Sequence, residues 1–236
     1  MMDAVAAEPG RVLERMAEMA YSPDLDQLLT AGARWVDEDA EYVIEAHLIG
    51  EVTFPTGQVV GCDPLTLPDT SPFTVGVAPG RYPLRAWVAV LYRDDAECDR
   101  RVAALQLVIG DEPATRWQPA LVEGQDPAAL GEDAFFGYAV DAGTGTLADL
   151  AAVRALASWD FQRVEDVYIP APLPERPVPG AVAAITDDQS GANVITVSSG
   201  WGDGVYPTFI GYTADGGISS FVTDFLVIPA GPQAAG

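Results

Sequence analysis

The sequence contains no lysine, one histidine and two cysteines among 236 residues. All 12 basic residues are arginines and stand against 35 Asp and Glu, which gives a net charge of -23. This excess of acid argues against direct binding to nucleic-acid phosphates or to an anionic membrane. His47 alone excludes sites that need two or three histidines, and Cys62 and Cys98 lack the spacing of a structural zinc site. We expect both thiols to be reduced.

Long apolar runs are also missing. The longest uncharged internal stretch, 189–202, is rich in Ser and Gly and is too short to cross a membrane as a helix. The opening residues are acidic and lack an apolar segment, which is not the pattern of a secretory signal. Hydrophobic residues make up 49% of the chain, which is enough to bury a core. We therefore expect a soluble, cytoplasmic protein.

The apolar residues change their spacing near residue 40, from a helical period to strand-like alternation. The first part predicts helices over 11–20 and, after Ser22-Pro23 as N-cap, over 25–29. One amphipathic helix is predicted mid-chain over 147–159, with Thr144 or Thr146 capping it. Strands are predicted at 42–48, 59–60, 81–93, 101–109, 135–141, 182–186, 193–198, 205–212 and 218–228.

This order of elements predicts an α+β fold that is mainly β. Because most connections lack helices, the sheet should be largely antiparallel, packed as a sandwich or as a strongly curved, barrel-like sheet. We divide the chain into a helical N-terminal segment (1–40), a single β-rich domain (41–228) and a flexible tail (229–236). The proline-rich stretch 170–179 is interpreted as a linker or surface loop.

Several short segments combine Gly, Asp and aromatic residues in a way that ordinary strand connections do not require. They are Gly61-Cys62-Asp63-Pro64 with Pro79-Gly80-Arg81-Tyr82-Pro83, Val140-Asp141-Ala142-Gly143-Thr144-Gly145, and Ser199-Gly200-Trp201-Gly202-Asp203-Gly204-Val205-Tyr206-Pro207-Thr208 with Val222-Thr223-Asp224-Phe225. In this order they resemble the DUF4241 family of uncharacterised bacterial proteins, roughly over 56–228. The resemblance implies a shared fold and no reaction, because the family has no assigned activity.

These segments supply the candidate binding residues. The glycines around Trp201 would let a backbone approach a ligand closely, or would simply connect two strands with Trp201 as an apolar plug. Asp224 lies in an alternating aliphatic run, where a buried charge costs several kcal/mol unless it is paired. It should accept backbone amides, pair with an arginine such as Arg81, or belong to a site. The candidates are Asp63, Arg81, Tyr82, Asp141, Gly143, Trp201, Asp203, Tyr206 and Asp224.

Aspartates are the residues that could hold a hard cation in this sequence. Asp141, Asp203 and Asp224, with Asp63, are candidate ligands of Ca²⁺ or Mg²⁺. We expect these four residues and Arg81 to lie close together, because polar groups on an apolar sheet need mutual satisfaction. Two lesser alternatives are a phosphate-binding loop at 141–145 and a Cys62 nucleophile activated by His47; an inert buried thiol is the more common case.

Two functions follow from these residues. The first is a binding module, toxin-neutralising or regulatory, that engages a small ligand or a basic protein partner. It is motivated by the absence of any basic residue after Arg176, where aspartates continue. The alternative is a divalent-metal-assisted hydrolase that uses the aspartate cluster, with Arg81 as a clamp for an anionic substrate.

Overall fold

The structure is a computed structural model that describes residues 21–66, 70–131, 133–169 and 177–228. Its strands are mainly antiparallel and form two sheets, neither of them closed into a barrel. The predicted mainly β, largely antiparallel fold is confirmed. The strands are β1 (Arg34–Val36), β2 (Glu41–Phe54), β3 (Val59–Cys62), β4 (Gly80–Arg93), β5 (Ala96–Val108), β6 (Arg116–Pro119), β7 (Gly137–Val140), β8 (Thr144–Asp149), β9 (Val182–Asp187), β10 (Ala192–Ser198), β11 (Gly204–Tyr212) and β12 (Ile218–Asp224).

The larger sheet has eight strands in the order β1-β2-β4-β5-β12-β11-β6, with β7 paired to the first half of β11. The predicted strands 81–93 and 101–109 are β4 and β5, which form a long hairpin. Its connection is only Asp94-Asp95, shorter than the interval between the two predicted strands. Both turn residues have positive φ, 51° and 61°, as a two-residue hairpin turn requires.

The smaller sheet has the order β3-β8-β10-β9 and packs on the larger one through β2 and β5. Its strand β8 corrects the predicted helix 147–159, because residues 144–149 are extended and the helix begins only at Leu150. Asp149, rather than Thr144 or Thr146, is the N-cap. A strand that is buried on both faces shows no alternation of apolar and polar residues. The apolar residues of β8 therefore fitted the spacing of a helix.

Three α-helices lie in the described residues: α1 (Leu25–Leu28), α2 (Leu150–Leu156) and α3 (Phe161–Tyr168). The first confirms the predicted helix at 25–29, but its N-cap is Asp24, whose side chain accepts from the Gln27 amide. The third was not predicted. Among the described residues no helix is long and apolar enough to span a membrane. The predicted helix 11–20 and tail 229–236 lie outside the described residues.

Candidate binding site at the junction of the two sheets

Two glycine-rich loops meet where the sheets join. One connects β7 to β8 (141–143), and the other connects β10 to β11 (199–203). The Ser199 amide donates to the Gly143 carbonyl at 3.0 Å. Gly143 and Gly200 both have positive φ, 63° and 50°, and a side chain at Gly200 would meet the Phe225 carbonyl at 2.5 Å. The loops therefore depend on glycine for their close approach.

Asp63 fixes the first loop from the end of β3. Its side chain is fully buried. Oδ2 accepts the amides of Asp141 at 3.1 Å and Ala142 at 2.6 Å. Oδ1 accepts the Thr144 hydroxyl at 2.7 Å and the Leu65 amide at 3.0 Å. Both oxygens are thus fully used inside the protein, and Asp63 holds the loop in place.

Tyr206 fixes the second loop. Its hydroxyl lies 2.7 Å from the Gly202 carbonyl and 3.1 Å from the Ser199 carbonyl. Trp201 is not the apolar plug of this loop, because it is 53% exposed, with the Arg101 guanidinium 4.8 Å from its ring centroid. Asp203 is exposed next to it. Asp141, Gly143, Trp201 and Asp203 therefore lie in the two joined loops, and Asp63 and Tyr206 hold these loops from positions outside them.

The other sequence candidates have separate partners. Arg81 is an exposed side chain that pairs with Glu51 at 3.0 Å. The Tyr82 hydroxyl donates to the Ala78 carbonyl at 2.7 Å. Asp224 is buried and accepts the Tyr21 hydroxyl and the Leu226 amide, both at 2.8 Å. Asp224 is thus satisfied in part by a backbone amide, as expected, and its predicted pairing with Arg81 is wrong.

The aspartates do not assemble a cation site in the part of the chain that the structure describes. No group of three or more His, Cys, Asp or Glu side chains could hold a metal ion there. The Ca²⁺ or Mg²⁺ hypothesis therefore has no ligand set among the described residues. Burial, the main cause, raises the pKa of Asp224 above its ordinary value.

Cys62 and His47 do not form a nucleophile–base pair. Both cysteines of the chain are free. Burial, aided by the nearby charge of Asp63, raises the pKa of Cys62 to about 12, so the thiol stays protonated at neutral pH. His47 Nε2 lies 2.9 Å from a carboxylate oxygen of Glu45 instead.

A cleft of about 300 Å³ lies beside the Asp63 loop, between edge strand β3 and strand β7. None of the described residues that line it is charged, although 20% of the chain is. Its walls combine aromatic rings with hydroxyl, thiol and amide groups. The lining residues are Gly61, Cys62, Thr70, Ser71, Phe73, Ala120, Val122, Gln125, Phe136, Gly137, Tyr138, Ala139 and Thr208.

Tyr138 lines this cleft, and its side chain extends between β3 and β8 of the smaller sheet. Its ring lies against the backbone of β3, because a side chain at Gly61 would come within 2.7 Å of ring carbon Cε1. Its hydroxyl lies near Gly145, where a Cβ would be 3.1 Å away. The Tyr138 hydroxyl is buried and has no hydrogen-bond partner among the described residues. The Thr223 hydroxyl pairs with that of Thr208 at 2.9 Å, and it also lies close enough to the Tyr138 hydroxyl to oppose the rise of the Tyr138 pKa. Burial raises the pKa of Tyr138, which keeps this hydroxyl protonated.

The sequence did not single out Tyr138 or Thr208 as binding residues by their chemistry. Both line the cleft because β7 and β11 pair, with Tyr138 opposite Tyr206. The sequence did contain one indication of this packing, the glycines Gly61 and Gly145. These two motif glycines make room for the Tyr138 ring and hydroxyl.

Comparison with known proteins gives one match. The model of a family described as "Protein of unknown function (DUF4241)" matches residues 52–223, a range that contains the joined loops and the cleft. No curated protein and no solved structure matches the chain.

Proposed function

The chain belongs to the DUF4241 family, whose model matches more than two thirds of its length, and we propose that it is a binding module that holds a small uncharged ligand in the junction cleft. The cleft is near the lower end of the usual size range of ligand pockets, roughly 300–1,000 Å³. It also has their usual composition, with apolar walls and a few polar groups.

The observation that carries this proposal is the Tyr138 hydroxyl. The Tyr138 hydroxyl is buried without a well-formed hydrogen bond to a described residue, although Thr223 lies near it. An unpaired buried hydroxyl costs up to about 1–3 kcal/mol, and a ligand that hydrogen-bonds to Tyr138 would recover part of that cost. Because no described residue of the lining is charged, an ionic ligand would lose its hydration without gaining a counter-charge. A neutral ligand with an aromatic or aliphatic body and one polar group fits this lining best.

The side chains available favour binding over hydrolysis. Asp63 is saturated by internal donors, and Arg81 is paired with Glu51. Cys62 carries a protonated thiol. A metal-assisted hydrolase would need some of these groups to be available to substrate and water. We therefore do not propose hydrolysis as the function.

Ligand-observed NMR with matched fragments tests the proposal. The probes are benzamide as the neutral fragment and benzoate and benzylammonium as its charged counterparts. Ala139→Trp should block the cleft, because Ala139 lines it and is exposed. Ala183→Trp, at an exposed position on edge strand β9, is the matched control.

We expect benzamide to bind the wild type and the control, and to lose at least tenfold in affinity in Ala139→Trp. The charged fragments should bind more weakly than benzamide. The proposal fails if no neutral fragment binds, if benzoate binds as well as benzamide, or if Ala139→Trp and Ala183→Trp bind alike.

A further inference from the structure

A second concavity lies on the other side of the segment that follows β6. Alternate residues of this segment face the two sites: Ala120 and Val122 line the junction cleft, whereas Pro119 and Leu121 line a groove of about 470 Å³. We propose that this groove docks a proline-rich segment of a partner protein that carries arginine. The inference is independent of the proposed ligand in the junction cleft.

The groove has the chemistry that recognises extended proline-rich chains. Three aromatic rings and three prolines line it, which gives rigid and largely apolar walls. Such walls fit a polyproline II helix, which is already extended and loses little conformational entropy on binding. The residues concerned are Tyr21, Trp117 and Phe209 with Pro23, Pro119 and Pro127.

Two of the rings are held in place before any partner arrives. The Trp117 indole N–H donates to Asp26 Oδ1 at 3.0 Å. The Tyr21 hydroxyl donates to the buried Asp224 at 2.8 Å, and its ring packs 6.4 Å from that of Phe209. A preorganised groove keeps more of the contact energy as affinity, because less ordering is needed on binding.

Charge at the groove indicates a basic partner. Asp126 lines it and Asp26 is bonded to its tryptophan, while no arginine is found among the described lining residues. Each of these carboxylates uses Oδ1 internally, and Oδ2 has no partner among the described residues. An arginine set between prolines could therefore meet one of these carboxylates, in a chain whose net charge of -23 already attracts cations.

Polar groups for the backbone of the partner are also present. The side chains of Ser22 and Gln118 line the groove, are exposed, and make no hydrogen bond within the described residues. A polyproline II segment has no internal hydrogen bonds, so its carbonyls are available to such donors. Aromatic walls, acidic groups and these donors together select an extended, arginine-bearing proline segment over a helix or a neutral peptide.

Fluorescence anisotropy with labelled peptides tests the inference. The probe is a nine-residue peptide of three Pro-Pro-Arg repeats. Peptides of Pro-Pro-Glu and Gly-Ser-Arg repeats control for charge sign and for backbone stiffness. Ala128→Trp should fill the groove, and Ala129→Trp, next to it and also exposed but outside the lining, is the matched control.

We expect the Pro-Pro-Arg peptide to bind, with at least tenfold weaker affinity for Ala128→Trp and less than a twofold change for Ala129→Trp. The pair Asp26→Asn with Asp126→Asn keeps an oxygen for each internal hydrogen bond but removes both charges. This double variant should bind the Pro-Pro-Arg peptide several-fold more weakly, and its affinity should depend less on salt concentration. The pair Asp166→Asn with Asp188→Asn, which removes two charges at exposed positions elsewhere, should not.

The inference is overturned if the Pro-Pro-Arg peptide does not bind at millimolar concentration. It is also overturned if the Gly-Ser-Arg peptide binds equally well, since general attraction to an acidic protein would then suffice. Equal binding to Ala128→Trp and Ala129→Trp would place the peptide elsewhere.

Discussion

The β3–β8 strand pair is closed at both ends by a buried aspartate, and the two ends differ in what lies beyond them. At one end Asp63 accepts from the loop 141–144. At the other end Asp149 accepts the amides of Thr56 at 3.0 Å, Gly57 at 2.9 Å and Ala151 at 2.8 Å. Both side chains are fully buried.

The Asp63 end borders the junction cleft, whereas Asp149 and its partners Thr56, Gly57 and Ala151 are not among the described residues that line it. The Asp149 end is filled by a turn and by the first residues of α2, so its aspartate has a structural role alone. The same carboxylate chemistry occurs at both ends, so an aspartate near a glycine-rich loop need not be a site residue. In the proposed function, Asp63 would shape the wall and the uncharged groups of the cleft would contact the ligand.

Removing the charge of either aspartate should produce the largest effect. In Asp63→Asn or Asp149→Asn, one oxygen becomes an N–H donor that faces backbone N–H groups in either orientation of the amide. We expect each variant to lose roughly 2–4 kcal/mol of unfolding free energy, because buried donors are left unpaired. Urea denaturation measures this, with exposed Asp188→Asn as control. A stable Asp63→Asn beside an unstable Asp149→Asn would show that the Asp63 carboxylate is not needed to hold the loop and could serve a ligand instead.

A methyl group at Gly61 would test how closely Tyr138 packs at the cleft end. The added Cβ would lie 2.7 and 2.8 Å from two ring carbons of Tyr138. We expect Gly61→Ala to cost about 1–3 kcal/mol, because overpacking forces the ring to move. Gly131→Ala is the control, since nothing lies within 4 Å of its Cβ position, and it should change stability by less than about 0.5 kcal/mol. If Gly61→Ala and Gly131→Ala changed thermal stability equally, Tyr138 would not be held against β3.

Asp224 is a third buried aspartate, and its carboxylate accepts fewer hydrogen bonds than those of Asp63 and Asp149. Burial raises its pKa above the ordinary 3.8, so the folded protein binds this proton more tightly than the unfolded chain. The resulting stability is fully present below pH 3.8 and is lost as the pH rises through the folded pKa. Asp224→Asn stays neutral and can still bond to Tyr21 and Leu226. The variant should therefore gain stability relative to wild type at pH 7, and this gain should shrink towards pH 3.5. A gain or loss that does not change with pH would contradict this assignment.

The sequence predicted the parts of this molecule that depend on local pattern. Apolar runs bounded by local turn residues predicted the β4–β5 hairpin and β11–β12, because each run and its turn can be read within a short stretch of sequence. The same patterns missed the boundary at Asp149, where a strand buried on both faces runs directly into a helix. The motif residues predicted that the joined loops are a special part of the molecule. Two motif glycines, Gly61 and Gly145, mark positions where another side chain packs closely on the backbone. Tyr138 and Thr208 could not be assigned to a cleft, because their positions depend on the pairing of β7 with β11, more than 60 residues apart in the chain.

The substitution Tyr138→Phe tests whether the Tyr138 hydroxyl serves a ligand in the junction cleft. Its hydroxyl is buried without a partner among the described residues, so its removal should leave the unfolding free energy unchanged or raise it by up to about 1 kcal/mol. The same variant should bind benzamide several-fold more weakly than wild type. A fall of more than about 1 kcal/mol in unfolding free energy would mean that the hydroxyl is bonded inside the protein. Together with unchanged benzamide binding, that result would contradict a ligand site built around Tyr138.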